Sequence, residues 1–260
     1  MISLANLKCP FTVQIFIRQS AFLLLHSRFI FISLWPIRLQ FIDLNYRATA
    51  MLLSVLYIIG ITEEAMTGAL SAGRRNMDWF GVMLVASATA IGGGSVRDIL
   101  LGNYPLTWVK HPEYLLITCL AGIVTTWLAK WVVKFKGIFM RLDALGLAAF
   151  SIIGCQVGLN MGLHYGICVV AAIVTGVFGG LLRDLICRQA PLVLHHELYA
   201  SVALIVACLY LALHHYNIDD NISVVASLVV GYLIRMASVR FKWRLPTFNL
   251  LEPANLNNEQ

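Results

Sequence analysis

From Met51 onward the chain is a succession of apolar segments about twenty residues long, and nothing else in it limits the fold as strongly. At 1.5 Å of rise per residue, a helix of that length matches a hydrocarbon core of about 30 Å. Barrel strands would be about ten residues long and alternate in polarity, a pattern this sequence lacks. Hydrophobic residues make up 59% of the chain and charged residues 12%, about half the charged fraction of an average soluble domain. The fold class expected is an all-α integral membrane protein. Seven transmembrane helices are predicted, at about 52–72, 79–100, 114–133, 138–159, 165–187, 198–214 and 222–239.

Residues 1–50 read differently. The stretch "FTVQIFIRQSAFLLLHSRFIFISLW" carries Arg18 and Arg28, each costing about 2.5–3.5 kcal/mol near the centre of a span. It also lacks the apolar run and small-residue cleavage site of a signal peptide. The expectation is that the physiological chain begins at Met51 and that residues 1–50 are an N-terminal extension. Five of its residues are Lys or Arg and one is acidic, so most of the net charge of +6 sits there and only +2 remains. That balance gives no nucleic-acid surface.

Loop charges set the orientation. Arg74 and Arg75 follow the first helix, Lys130, Lys134, Lys136 and Arg141 surround the turn between the third and fourth, Arg188 follows the fifth, and Arg240, Lys242 and Arg244 follow the seventh. "LNMGLHYG" and "HHYNIDDN", after the fourth and sixth, contain no Lys or Arg. This alternation predicts an external N-terminus and a cytoplasmic C-terminus, Lys110 being the exception.

The chain is also duplicated. A shift of 86 residues aligns Gly60 with Gly146, Gly68 with Gly154, Thr89 with Thr175, Gly93-Gly94 with Gly179-Gly180, Arg97-Asp98 with Arg183-Asp184, and Pro105-Leu106 with Pro191-Leu192. The expected domains are a three-helix repeat at 51–136, a second at 137–217, and a seventh helix with its tail at 218–260. Three helices per repeat send the second copy into the membrane from the opposite side, giving inverted repeats of the kind that enclose a transport pathway.

Gly92, Gly93, Gly94, Gly179 and Gly180 have two readings: kinks that line a pathway, or a close approach of two helices. Arg97 and Asp98 are neighbours whose side chains diverge by about 100° on a helix. The expected pairs are therefore Arg97 with Asp184 and Arg183 with Asp98, the alternative being arginines that snorkel to an interface. Glu63 and Glu64 lie within the first helix and Asp143 near the start of the fourth. Glu64 and Asp143 are candidates for attracting cations or coupling protons, unless they are hydrated at an interface. Trp79, Trp108, Tyr114 and Trp243 fall at span ends as anchors among membrane lipids.

Six scattered cysteines and seven histidines show no metal-ligand spacing. "GGGSVRD" lacks the lysine followed by a hydroxyl residue that ends a phosphate loop, and no hydrolase signature is present. No metal, no cofactor and no enzyme activity are expected.

The duplicated "GGGSVRD" and "FGGLLRD", followed by "YPLTWVKHPEYL" and "APLVLHHELYA", resemble a bacterial inner-membrane family built from two copies of the glycine transporter domain. The architecture is similar to the trimeric intracellular cation (TRIC) channels and their prokaryotic members. The resemblance covers about residues 51–248, including "LPTFNL". It implies a homotrimer of seven-helix protomers, each with its own pore for monovalent cations and with the second and fifth helices kinked at the glycines. Two departures stand out: Phe178 replaces the counterpart of Gly92, and Asp143 matches Tyr57. A cation channel is the leading function, and a carrier for glycine or another small neutral amino acid is the alternative.

Overall fold

The computed structural model describes residues 48–132, 137–195 and 198–243. The expectation about residues 1–50 falls almost wholly outside the described residues, as do Lys134, Lys136 and Arg244. The described residues from Leu52 onward form one compact unit.

The described residues are helical: α1 (Ala48–Gly73), α2 (Trp79–Leu101), α3 (Thr107–Lys110), α4 (Glu113–Val132), α5 (Ile138–Asn160), α6 (Tyr165–Ile186), α7 (Leu192–His195), α8 (Tyr199–His215) and α9 (Asp220–Phe241). The apolar runs make the helices, and polar residues set their ends. Asp78 caps α2 by accepting from the Gly81 N–H, Asp219 caps α9 through the Asn221 and Ile222 N–H groups, and Gly102 closes α2 in the left-handed region. Five of the helices, α1, α2, α5, α6 and α9, are long and apolar enough to cross a membrane, and α4 and α8 are apolar as well. The short α3 and α7 were not expected from the sequence.

The packing is built on pairs. α5 and α6 lie together, α2 packs on both α6 and α4, and α8 and α9 cover α5. α1 meets α2 at Gly68, where an added Cβ would strike Thr89 and Val85. α5 meets α6 at Gly154 in the same way, against Thr175 and Ala171. Every residue in the second contact is the first shifted by 86. Between the helices lies a core of small and branched side chains that includes Val85, Ala86, Leu147, Ala148, Ala172 and Val202. Large apolar side chains such as Phe80, Leu116 and Trp127 face outward, the reverse of a water-soluble surface and appropriate to lipid or to other subunits.

Candidate functional site

The glycine motifs meet where α2 crosses α6. A Cβ on Gly93 would run into the carbonyl oxygen of Thr175, and one on Gly179 would lie 2.5 Å from that of Thr89. Each contact is the other displaced by 86 residues. Ascending α2 from Thr89 to Gly93 descends α6 from Gly179 to Thr175, so the helices cross antiparallel, backbone against backbone. Both remain α-helical without interruption through their glycines. Close approach is what Gly93 and Gly179 provide. Gly94 differs, since a Cβ there meets only Arg97 Nη2, at 3.7 Å.

The Arg-Asp motifs correct the sequence expectation. Arg97 and Asp184 do not pair, nor do Arg183 and Asp98; each arginine binds its own neighbour. Arg97 donates from Nε and Nη2 to Asp98 Oδ1 at 2.9 and 2.7 Å, and Arg183 donates from Nε to Asp184 Oδ1 at 2.9 Å. The reason is geometric. The antiparallel crossing is centred between Thr89 and Gly93, six residues short of each motif, which sets the motifs about 18 Å apart along the axis. The long arginine side chain folds back across the 100° between neighbours instead. Neither arginine snorkels, for both are 1% exposed.

The other aspartate oxygen fastens the chain beyond the helix. Asp98 Oδ2 accepts from the Thr107 N–H at 3.0 Å and the Thr107 hydroxyl at 2.8 Å. Asp184 Oδ2 accepts from the Leu192 N–H at 3.0 Å. Each aspartate thus holds the start of a short helix, α3 or α7. The signal was in the sequence, because Pro-Leu follows the aspartate seven residues on in both copies.

Around the arginines the two copies diverge at the position of Asp143. Arg183 Nη1 donates to Asp143 Oδ1 at 3.0 Å, and the Tyr199 hydroxyl donates to the same oxygen at 3.3 Å. The matching residue of the first copy is Tyr57, whose ring lies 4.8 Å from that of Tyr114. Arg97 Nη1, with no carboxylate at that place, has no hydrogen-bond partner among the described residues.

Glu63, Glu64 and Asp143 are all buried, so none is hydrated at an interface in the protomer. Glu64 Oε2 accepts from the Thr67 hydroxyl at 3.0 Å. Both oxygens of Glu63 lack partners among the described residues, as does Asp143 Oδ2. The sequence pointed to Glu64 and Asp143 and passed over Glu63. The two glutamates press on α5 at Gly146, where a Cβ would collide with Glu63 and lie 2.8 Å from Glu64 Oε1. With Asp143, Arg183 and Asp184 they make a buried cluster of four carboxyls and one guanidinium, and Arg235 lies beyond it, 4.7 Å over the Tyr199 ring.

A cavity of about 820 Å³ opens near the α1–α2 turn, lined by Leu70, Arg74, Met77, Trp79, Thr125 and Phe139 among others. The Phe139 ring also lies 5.0 Å from the Arg183 guanidinium, so it adjoins both the cavity and the charged cluster. Cys155, Cys168 and Cys187 are buried free thiols. No group of three His, Cys, Asp or Glu side chains among the described residues is placed to hold a metal ion.

The family model described as glycine transporter matches the chain twice, over residues 54–130 and 140–215. The UPF0126 inner membrane protein YadS of Escherichia coli K12 is 35% identical over 204 residues, 78% of this chain and 99% of the relative. A UPF0126 membrane protein of Vibrio cholerae is also 35% identical, over 78% of this chain and 86% of its own length. Among solved structures, the TRIC trimeric intracellular cation channel orthologue from Rhodobacter sphaeroides superposes with a TM-score of 0.71 at 31% identity, covering 73% of this chain and 98% of that one. A prokaryotic TRIC channel solved in 0.5 M KCl gives 0.69 at 31% identity, over 75% of this chain and 100% of that one. These relatives are named as membrane proteins and cation channels, not as enzymes. With two copies of its domain and a fold shared with the prokaryotic TRIC channels, the chain belongs to the glycine transporter family.

Proposed function

We propose that the chain is a multi-pass protein of the bacterial inner membrane that conducts monovalent cations, potassium and sodium, as a homotrimer with a pore in each protomer. All seven long helices span the bilayer, with repeats at 51–136 and 137–217 inverted relative to each other and α9 appended. The N-terminus is external and the C-terminus cytoplasmic. The observation that carries this reading is the charged interior of an otherwise apolar helical chain. Arg97-Asp98 lies on one side of the α2–α6 crossing and the acid-rich cluster of Glu63, Glu64, Asp143, Arg183 and Asp184 on the other. Charges buried at membrane depth mark ion pathways, and an excess of carboxyls favours cations. The contacts exchanged by the 86-residue shift support the inverted repeat. The likeness to TRIC cation channels supports conduction and the trimer. Gly92, Gly93 and Gly179 shape the wall of the pathway by bringing α2 and α6 together, and Gly94 and Gly180 leave room in it for the guanidinium groups of Arg97 and Arg183.

A second reading, a carrier for glycine or a similar amino acid, draws on Arg97 Nη1, a buried donor suited to a carboxylate. Purified protein in a planar bilayer under a potassium gradient decides between them. Discrete unitary currents that reverse near the potassium potential are expected. Silence there with saturable uptake of labelled glycine into liposomes would replace the channel with a carrier.

A further inference from the structure

The most exacting demand in the interior comes from Glu63. An ionised carboxylate taken out of water with no donor is far too costly to persist, and a buried acid without partners is relieved only by a positive charge. The charged groups that act on it are Glu64 on its own helix, Asp143 on α5 and Arg183 on α6, while Asp184 of α6 acts on Glu64. Tyr199 of α8 and Arg235 of α9 stand behind Asp143. Arg183 is already engaged by Asp143 and Asp184 at 3.0 and 2.9 Å. Among the described residues, no cation is within hydrogen-bonding reach of Glu63. Nor does the space admit a foreign one. Both carboxyl oxygens are sealed within the packing, the Glu63 carboxyl lies against the backbone at Gly146, and no three ligand side chains among the described residues converge on a metal position. The one positive charge small enough is a proton.

We propose that Glu63 and Glu64 form a carboxyl pair that holds one proton against Gly146 of α5, and that cation flow depends on whether the proton is in place. The pair shares it as a unit, since both carboxyls lie against the same point of α5. Without it, two carboxylates and Asp143 face one another with Arg183 alone to offset them, and α1 parts from α5 at Gly146. The transport consequence rests on the conduction reading; the proton site does not.

Infrared spectroscopy of the full chain in liposomes tests the site without any transport. At neutral pH the wild type shows the carbonyl stretch of a protonated carboxyl, shifted in heavy water. The band is lost in Glu63→Gln, moved in Glu64→Gln, and kept in Glu113→Gln, whose carboxyl is exposed. A wild type without the band overturns the proposal even if no variant folds, and so does a band unmoved by both Glu63→Gln and Glu64→Gln. In bilayers, wild-type conductance rises with pH and Glu63→Gln loses that dependence. A pH-dependent Glu63→Gln channel overturns the coupling. Silent bilayers with the band present would remove the conduction reading and leave the proton site standing.

Discussion

Asp98 and Asp184 occupy matching places, yet their arginines depend on them unequally. Arg183 divides its charge between Asp184 and Asp143, whereas Arg97 has Asp98 alone because Tyr57 stands where a second carboxylate would be. Removing one member of a buried ion pair costs about 3–5 kcal/mol when the other charge is left uncompensated. Asp98→Asn should lose about that much, and Asp184→Asn only about 1–3 kcal/mol, the cost of a charged hydrogen bond. Melting temperatures in detergent measure the difference, and equal losses would mean that Asp143 does not share the charge of Arg183. The residues of this site were legible in the sequence through their duplication; their partners were not. Pairing was read from the divergence of neighbouring Cβ positions, but a flexible arginine is long enough to cancel that divergence. Glu63 and Glu64 could not be ranked from the sequence either, because only the position of Thr67 and Gly146 in space shows which carboxyl is left without a donor.

At the scale of the helix, the three consecutive glycines of α2 do three different things. Gly93 lies against the Thr175 backbone, which cannot yield; Gly92 faces the tip of Leu182, which can; Gly94 faces little besides Arg97 Nη2. Gly93→Ala and Gly179→Ala should each destabilise the fold by about 1–3 kcal/mol, as overpacking does. Gly94→Ala should be tolerated or stabilise by about 0.5–1 kcal/mol, the conformational entropy that glycine gives up in a helix. Thermal unfolding of the three single variants separates packing from flexibility. If Gly94→Ala were as damaging as Gly93→Ala, the glycines would matter for bending and not for contact. The seven long helices were legible because lipid-length apolar runs leave few alternatives, and the observed ends fall within a few residues of those expected. α3 and α7 were not, since four-residue helices carry no periodicity. They exist because an aspartate on the preceding helix accepts the first N–H of each.

For the whole molecule, the orientation in the membrane decides which side each charged cluster serves. Arg75 Nη2 donates to the Arg188 carbonyl at 3.0 Å, so the loops after α1 and α6 share one end of the bundle. The acid-rich cluster lies toward that end, because Asp143 is six residues into α5 and Arg183 is in the last turn of α6. Arg97 and Asp98 lie in the last turn and a half of α2, at the opposite end. If basic loops stay inside, the carboxyl cluster lies toward the cytoplasmic end and the neutral Arg97-Asp98 pair toward the external one. Cysteine labelling tests this in intact cells, with the native cysteines replaced. Gly73→Cys adds a thiol where no atom lies within 4 Å of the new Cβ, and Lys110→Cys adds one on an exposed turn of the other end. A membrane-impermeant thiol reagent should label Lys110→Cys at once and Gly73→Cys only after the cells are opened. The reverse pattern would invert the protein, put the carboxyl cluster at the external mouth, and make Glu63 answer to the pH outside the cell.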